Sequence, residues 1–193
     1  MTIDIGFSLA NFGGASIETS NKLALTAGVG YEHWLSERIG LQSSISYMPK
    51  GAKLGVVGNL TQFTYRLNYW ESLNVVKYKL GTRPDFHISL LAGPNISTVA
   101  NANIRFFSIA TPTTAEVPRG ENGVNSLDYG LNLGTEFNLE TDYGYLSLKS
   151  YYQYGLQKGL LLIDNFRVNN NMLFIGLTFK IGTSKKITEA SSY

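Results

Sequence analysis

At residues 127–139 the sequence reads LDYGLNLGTEFNL, and its apolar and polar side chains alternate along almost the whole segment. A period of two is the period of a β-strand, whose successive side chains point to opposite faces of a sheet. Strands of soluble domains commonly have about 5–6 residues, so this run is long. The segment predicts a long strand with one apolar and one polar face.

Seven further segments show the same alternation: residues 3–12, 24–34, 39–47, 62–78, 86–98, 145–156 and 172–181. In 62–78 the pattern assigns Tyr65 and Leu73 to the apolar face and Arg66 to the polar face, although Glu71 interrupts the apolar side. Together with the first segment, these predict eight strands.

The connections between the eight segments alternate between short and long. The short ones cover residues 35–38, 79–85 and 140–144, and the long ones cover 13–23, 48–61, 99–126 and 157–171. Short turns on one rim and long loops on the other are typical of outer-membrane β-barrels. We therefore predict an all-β protein, an eight-stranded antiparallel up-and-down transmembrane β-barrel over residues 1–182, followed by a C-terminal tail at 183–193. An even strand count puts both termini on the short-turn, periplasmic side of a bacterial outer membrane.

Composition excludes several other classes of protein. The chain has 16 Lys and Arg against 14 Asp and Glu, and the basic residues are too scattered to form a nucleic-acid site. The absence of Cys excludes disulfides, thiolate metal sites and a cysteine nucleophile. No run of ~18 apolar residues is present, so strands would have to cross the membrane. Residues 1–6 enter a strand directly, and we interpret the sequence as a mature form with an added Met.

Residue size indicates which face points inward. A soluble barrel of the lipocalin type would place the apolar face inside, but the polar face here is mostly Gly, Ser, Thr and Asn, which suits a hydrated lumen. Aromatic residues also fall at both strand ends, as in the aromatic girdles of membrane proteins. At the long-loop ends these are Tyr47, Phe63, Tyr65, Tyr129, Tyr154 and Phe174. At the short-turn ends they are Trp34, Tyr78, Phe86, Tyr145 and Phe179.

Four charged residues fall on faces predicted to line the lumen: Glu32, Arg66, Glu136 and Lys149. Buried charges have to pair, so we expect a polar network of salt bridges between them. Such a network would fill and stiffen an eight-stranded barrel, although a narrow channel or small-ligand conduit through the polar lumen is an alternative.

The long loops are predicted to carry contacts to the surroundings. Five cations are candidates for binding lipopolysaccharide phosphates, although they are equally compatible with ordinary solvated loops: Lys50, Lys53, Arg119, Lys158 and Arg167. The longest loop contains the apolar run at 104–109, which either prolongs its hairpin or docks on a partner. Its candidate docking residues are Arg105, Phe106 and Phe107.

The sequence contains no recognisable catalytic constellation. A lipid A-modifying barrel would need a His with a placed Ser and carboxylate, and both His33 and His87 fall at the short-turn ends without them. The acidic and amide residues at 164–171 lack the ligand spacing of a calcium loop. We predict no catalytic residue, no metal and no cofactor.

Five short motifs, spread over the chain, are shared with a known family: GVGYE at 28–32, LSERIGLQ at 35–42, YMPKG at 47–51, LNVVKY at 73–78 and LAGP at 91–94. The sequence resembles the outer-membrane β-barrel family of Bacteroidetes-type bacteria that includes PorT-like, or porin-like, proteins. The resemblance implies an outer-membrane barrel that serves a larger secretion or assembly complex. Such barrels commonly end on an aromatic residue of the last strand, whereas here residues 183–192 precede the terminal Tyr193.

These observations favour a non-enzymatic outer-membrane barrel that acts as a structural or interaction protein. The more specific hypothesis is that it is an accessory subunit of a larger outer-membrane secretion or assembly complex. A narrow channel or ligand conduit is the alternative, and a lipid A-modifying enzyme is the second alternative. The expected partners are outer-membrane lipid, lipopolysaccharide and other outer-membrane proteins.

Overall fold

The computed structural model describes residues 1–13, 19–55, 62–81, 83, 85–107, 113–116, 125–162 and 166–181. In these residues the chain forms eleven β-strands, numbered in chain order. They are β1 (Thr2–Gly13), β2 (Thr19–Trp34), β3 (Ile39–Lys50), β4 (Ala52–Gly55), β5 (Gln62–Leu80), β6 (Phe86–Phe107), β7 (Thr113–Glu116), β8 (Leu127–Thr141), β9 (Gly144–Gly155), β10 (Lys158–Leu162) and β11 (Phe166–Ile181). Across the described part of the chain, no helix has the length and hydropathy needed to span a membrane.

Eight of these strands close into a barrel. Each pairs antiparallel with the next in the order β1, β2, β3, β5, β6, β8, β9 and β11. The last strand then pairs with the first, from Thr2 opposite Lys180 to Gly13 opposite Asn169. The prediction of a closed eight-stranded antiparallel barrel is confirmed. The three short strands extend hairpins at the long-loop rim, and β6 continues through the apolar run to Phe107.

In seven of the eight long strands the predicted polar face points into the barrel and the predicted apolar face points outward. In β3 the burial alternates strictly, with Gln42 and Ser44 buried and Leu41 and Ile45 exposed. The outer wall is apolar around the barrel, and Leu133, for example, is 69% exposed. Monomeric soluble proteins rarely expose apolar surface of this extent, whereas a barrel surrounded by lipid must.

The eighth long strand, β5, is turned the other way, and its predicted faces were wrong. Its inward side chains are Tyr65, Leu67, Tyr69, Glu71, Leu73, Val75 and Lys77, all buried. Its outward side chains therefore include Arg66, which alternates with buried residues and is itself partly exposed. Glu71 and Lys77 are the physical reason, because both are 0% exposed and both pair with charges from other strands.

The reversal places polar groups on the outer wall. Ser43 Oγ donates a hydrogen bond of 2.7 Å to Asn74 Oδ1, and Asn74 Nδ2 donates one of 3.2 Å to Ser72 Oγ. Asn74 lies midway between Trp70 and Tyr78 on the outward face of β5, so this mid-wall polar cluster lies halfway between the two rims of the apolar band. Polar side chains in hydrocarbon need hydrogen-bond partners, and these three residues supply them to one another.

The aromatic residues form two exterior rings, although not with all the predicted members. Tyr47 and Trp70 make an edge contact at 5.4 Å near the long-loop rim, and Tyr78, Phe86 and Phe179 are exposed near the short-turn rim. Four predicted girdle residues instead belong to the interior side, namely Tyr65 and Phe174 toward the long-loop end and Trp34 and Tyr145 at the short-turn end.

Candidate functional site

A square of four charges crosses the lower lumen, and we call it the lower cluster. Lys77 Nζ contacts Glu32 Oε2 at 2.6 Å and the carboxylate of Glu136. Lys180 Nζ lies 3.0 Å from Glu32 Oε2 and 3.1 Å from Glu136 Oε1. The four residues come from β2, β5, β8 and β11, which are alternate strands around the barrel. Each ammonium therefore bridges two carboxylates, and the formal charges cancel.

A further ion pair lies just above the lower cluster. Lys149 Nζ is 2.8 Å from Asp4 Oδ1, and the hydroxyl of Thr178 donates to the same oxygen. Lys149 and Asp4 project from β9 and β1, the strands on either side of β11. This pair also has no net charge, so it adds no field that could attract an ion.

The upper cluster is a second buried ionic layer nearer the long-loop rim. Lys50 Nζ lies 2.7 Å from Glu71 Oε2 and 3.6 Å from Asp128 Oδ2. The ammonium of Lys22 donates to the backbone carbonyl of Lys50 at 2.7 Å, which brings a second positive charge to the layer. Glu71 Oε2 also accepts hydrogen bonds from three side chains, those of Asn95, Ser97 and Gln153.

Between the ionic layers lies a septum of eight buried residues, largely apolar: Ala10, Met48, Leu73, Val75, Leu91, Tyr151, Met172 and Phe174. Leu73 and Val75 separate Glu71 of the upper cluster from Lys77 of the lower one along β5. The rings of Tyr151 and Phe174 stack at 4.8 Å across this level. Thr26, Ser44 and Ser46 also border this level, but the cavity that they share with Leu73, Tyr151 and Phe174 has a volume of only about 10 Å³. A layer packed this closely between two neutral ionic layers opposes the passage of ions, because an ion would have to shed its hydration shell to enter it.

The short-turn end opens into a cavity of about 660 Å³, which we call the mouth. Trp34, His87 and Tyr145 border it, with ring centroids 6.3 Å apart for Trp34 and His87 and 5.6 Å apart for His87 and Tyr145. Trp34 Nε1 donates a 2.9 Å hydrogen bond to Glu32 Oε1, which ties the indole to the lower cluster. Among the residues described, no group of three or more His, Asp or Glu side chains could hold a metal ion.

The predicted lumen residues divide into three that lie in the interior and one that does not. The structure places Glu32 and Glu136 in the lower cluster and Lys149 in the pair with Asp4. Arg66 is a correction, because β5 is reversed and Arg66 belongs to its outward, partly exposed face. The sequence pattern missed Lys77 because that residue belongs to the face assigned to the exterior.

The predicted rim residues also need one correction. Lys50 does not face lipopolysaccharide, because its side chain is 0% exposed and forms an ion pair with Glu71 inside the barrel. Lys53 and Arg105 are exposed at the long-loop rim. Arg119 and the tail at 183–193 lie outside the described residues, and so do the side chains of the remaining candidates, Phe106, Phe107, Lys158 and Arg167.

The strand pairing, apolar outer wall and charged interior define the class: the chain is an eight-stranded transmembrane β-barrel. No protein-family model and no curated protein matches the sequence.

Solved structures similar to this barrel include those of the following three proteins. Neisserial surface protein A has 12% identity and a TM-score of 0.47, over 93% of this chain and 96% of that one. The outer membrane protein OprG from Pseudomonas aeruginosa has 14% identity and a TM-score of 0.47, over 92% and 93%. The attachment invasion locus protein Ail of Yersinia pestis has 13% identity and a TM-score of 0.43, over 92% and 97%. At such low similarity, the fold assignment rests on the strand pairing of the chain itself.

Proposed function

We propose that this protein is an integral barrel of a bacterial outer membrane that acts as a structural or interaction protein, and neither as an enzyme nor as a diffusion channel. The observation that carries the proposal is the septum between two buried ionic layers. Eight strands enclose little more space than their inward side chains occupy. A barrel closed in this way offers its rims and outer wall to partners rather than its lumen.

The membrane assignment is supported by the outer wall. The two aromatic girdles of the outer wall are represented on β5 by Trp70 and Tyr78. These two residues are about 20 Å apart along the barrel axis, at ~3.3 Å per residue and ~40° tilt. Transmembrane barrels carry an apolar band of about 25 Å between aromatic girdles, which agrees with this spacing. In such barrels the short-turn side, where β1 begins and β11 ends, is periplasmic, so we propose periplasmic termini.

The role of an accessory subunit is supported by the length of the paired strands β5 and β6, whose far ends, at Gln62 and Phe107, lie on the long-loop side. β6 has 22 residues, which would rise about 55 Å at ~3.3 Å per residue and ~40° tilt, roughly twice the height of the apolar band. The excess stands above the long-loop rim, where Arg105 is exposed. We propose Arg105, Phe106 and Phe107 as the surface that docks on another outer-membrane protein of a secretion or assembly complex, as in the PorT-like resemblance.

Lipopolysaccharide is the second proposed contact at this rim. The exposed Lys53 supports it, and the other proposed contacts are Arg119, Lys158 and Arg167. Guanidinium and ammonium groups bind phosphate oxygens through charge-assisted hydrogen bonds.

Co-purification from native membranes in mild detergent tests the interaction role. We expect a stoichiometric partner with the parent protein and loss of that partner with Arg105→Glu. Arg83→Glu is the matched control, because Arg83 is an exposed Arg at the opposite rim. A monomer that carries no partner in the parent form would contradict the accessory role.

Planar bilayers test the closed lumen. Protein whose insertion is verified by a heat-dependent shift in gel mobility is expected to show no discrete conductance steps. Reproducible steps in the parent protein would contradict the septum and support the channel alternative.

A further inference from the structure

The mouth contains buried polar groups without partners. His87 is only 5% exposed, and within the described part of the chain neither of its ring nitrogens has a hydrogen-bond partner. The hydroxyl of Thr2, 1% exposed, borders the same cavity and is also unpartnered. Native structures pair nearly all such groups with protein, water or ligand. Two orphaned groups in one cavity therefore indicate an occupant that can both donate and accept hydrogen bonds.

The walls of the mouth suit a flat apolar body. Trp34 reaches from β2 and Tyr145 from β9, and both rings stand nearly perpendicular to His87, at 78° and 76°. Aromatic side chains hold planar ligands by edge and face contacts. A volume of about 660 Å³ is within the usual range of small-molecule pockets, ~300–1,000 Å³.

The electrostatics of the mouth favour an anion. Four charged side chains border the cavity: Glu32, Glu37, Lys79 and Lys180. Glu32 and Lys180 belong to the lower cluster, in which the charges cancel, and Lys79 adds a positive charge outside that cluster. Lys79 borders the cavity from the inward face of β5. Glu37 also borders the cavity, but it is exposed on the β2–β3 turn, where solvent and salt screen its charge.

We propose that the mouth binds a small aromatic carboxylate. Its ring lies against Trp34 and Tyr145, and its carboxylate accepts hydrogen bonds from the Lys79 ammonium and one N–H of His87. The lower cluster closes the inner end of the cavity, so the ligand is bound there and does not pass through. The proposal goes beyond the proposed function, and it holds whether or not the barrel docks on a partner.

The chain offers a direct reporter for this site. It has two Trp residues, Trp34 in the mouth and Trp70 on the outer wall near the opposite rim. In a Trp70→Phe background Trp34 is the sole Trp, and its fluorescence in detergent micelles reports on the mouth. The probe is benzoate, compared with acetate, which lacks the ring, and with benzyl alcohol, which lacks the charge.

We expect a saturable change of Trp34 fluorescence with benzoate, and binding of acetate and of benzyl alcohol at least about tenfold weaker, which corresponds to ~1.4 kcal/mol. Lys79→Ala and His87→Phe should each weaken benzoate binding by about tenfold. Arg83→Ala, an exposed cation at the same rim that does not border the cavity, is the matched control and should leave binding unchanged.

Three results would overturn the proposal. The first is the absence of saturable benzoate binding, which would leave the cavity to water. The second is equal affinity for benzoate and benzyl alcohol, and the third is a Lys79→Ala variant that binds like the parent. If the His87→Phe protein does not fold, as judged by its heat-dependent gel mobility, the Lys79→Ala result decides alone, because Lys79 is partly exposed at the rim.

Discussion

Replacing Lys77 by Met is expected to lower the free energy of unfolding by ~3–5 kcal/mol, the range for removal of one partner from a buried ion pair. Lys77 is 0% exposed and bridges Glu32 and Glu136. Without it, two carboxylates share the single ammonium of Lys180. The buried lower cluster then carries one net negative charge. A domain with a total stability of ~5–15 kcal/mol would lose a large part of it.

A second substitution should recover most of this loss. Glu136→Leu alone leaves Glu32 with two ammonium groups and a net positive charge, and we expect a similar loss of ~3–5 kcal/mol. The combined Lys77→Met and Glu136→Leu variant leaves Glu32 and Lys180, which are 3.0 Å apart and neutral together. Its stability should lie within ~1 kcal/mol of the parent or above it, because apolar replacement of a whole buried pair is often neutral or stabilising.

Urea unfolding in phospholipid vesicles, followed by Trp fluorescence and gel mobility, measures all three variants. Lys79→Met is the matched control, since Lys79 is on the same strand face but partly exposed, and it should change stability by less than ~1 kcal/mol. The reasoning fails if Lys77→Met costs as little as this control, because the lower cluster would then be solvated. It also fails if the double variant loses the sum of the two single losses.

Three further predictions use the same unfolding assay. Tyr151→Ala removes a septum ring that is 4% exposed and should cost ~3–5 kcal/mol, whereas its outward neighbour Tyr152→Leu should cost less than ~1 kcal/mol, and equal losses would argue against a packed septum. Gly93→Ala should cost ~1–3 kcal/mol, because a Cβ there would meet the backbone oxygen of Asn74 at 2.1 Å, and an unchanged urea midpoint would refute this close approach. Asn74→Leu should stabilise the barrel in vesicles by about 1 kcal/mol, since it removes a polar amide from the middle of the apolar wall, and a net loss would show that the bond from Ser43 outweighs this gain.

The barrel itself could be predicted from the sequence because two independent patterns agree. Alternation with a period of two marks the strands, as in the segment beginning at Leu127, where burial follows the predicted parity through Asp128 and Leu131. The alternation of short and long connections then fixes the rims. Neither pattern requires knowledge of which residues meet across the lumen.

The site was less predictable because its contacts are non-local. Glu32 and Glu136 could be assigned to the interior by parity alone, but their partners Lys77 and Lys180 lie on other strands. The alternation in the sequence ends at residue 47 and therefore assigns Lys50 to a loop, whereas the observed β3 continues to Lys50 and turns its side chain inward. The mouth was missed because Trp34 and Tyr145 look like girdle residues in the sequence.

The reversed strand shows which signal should decide a face when alternation is ambiguous. Turning Lys77 outward would place it beside Tyr78 at the edge of the apolar band, where a charge costs only ~0–1 kcal/mol, but it would also leave Glu136 buried without this partner, at ~3–5 kcal/mol. Placing Asn74 outside costs only ~1–3 kcal/mol before its hydrogen bonds are counted. The charged face therefore goes inside even though it carries more apolar residues.

Arg66 is consistent with this rule rather than an exception to it. It lies four residues beyond Trp70 toward the long-loop rim, about 13 Å along the strand at ~3.3 Å per residue. An outward charge at that level lies past the aromatic ring of the apolar band, where the penalty for Arg falls to ~0–1 kcal/mol. Depth as well as parity therefore decides where a charge can lie, and in β5 the buried ion pairs of Glu71 and Lys77 outweigh the small cost of an outward Arg66. That choice brings Leu73 and Val75 into the lumen with them and so builds the septum.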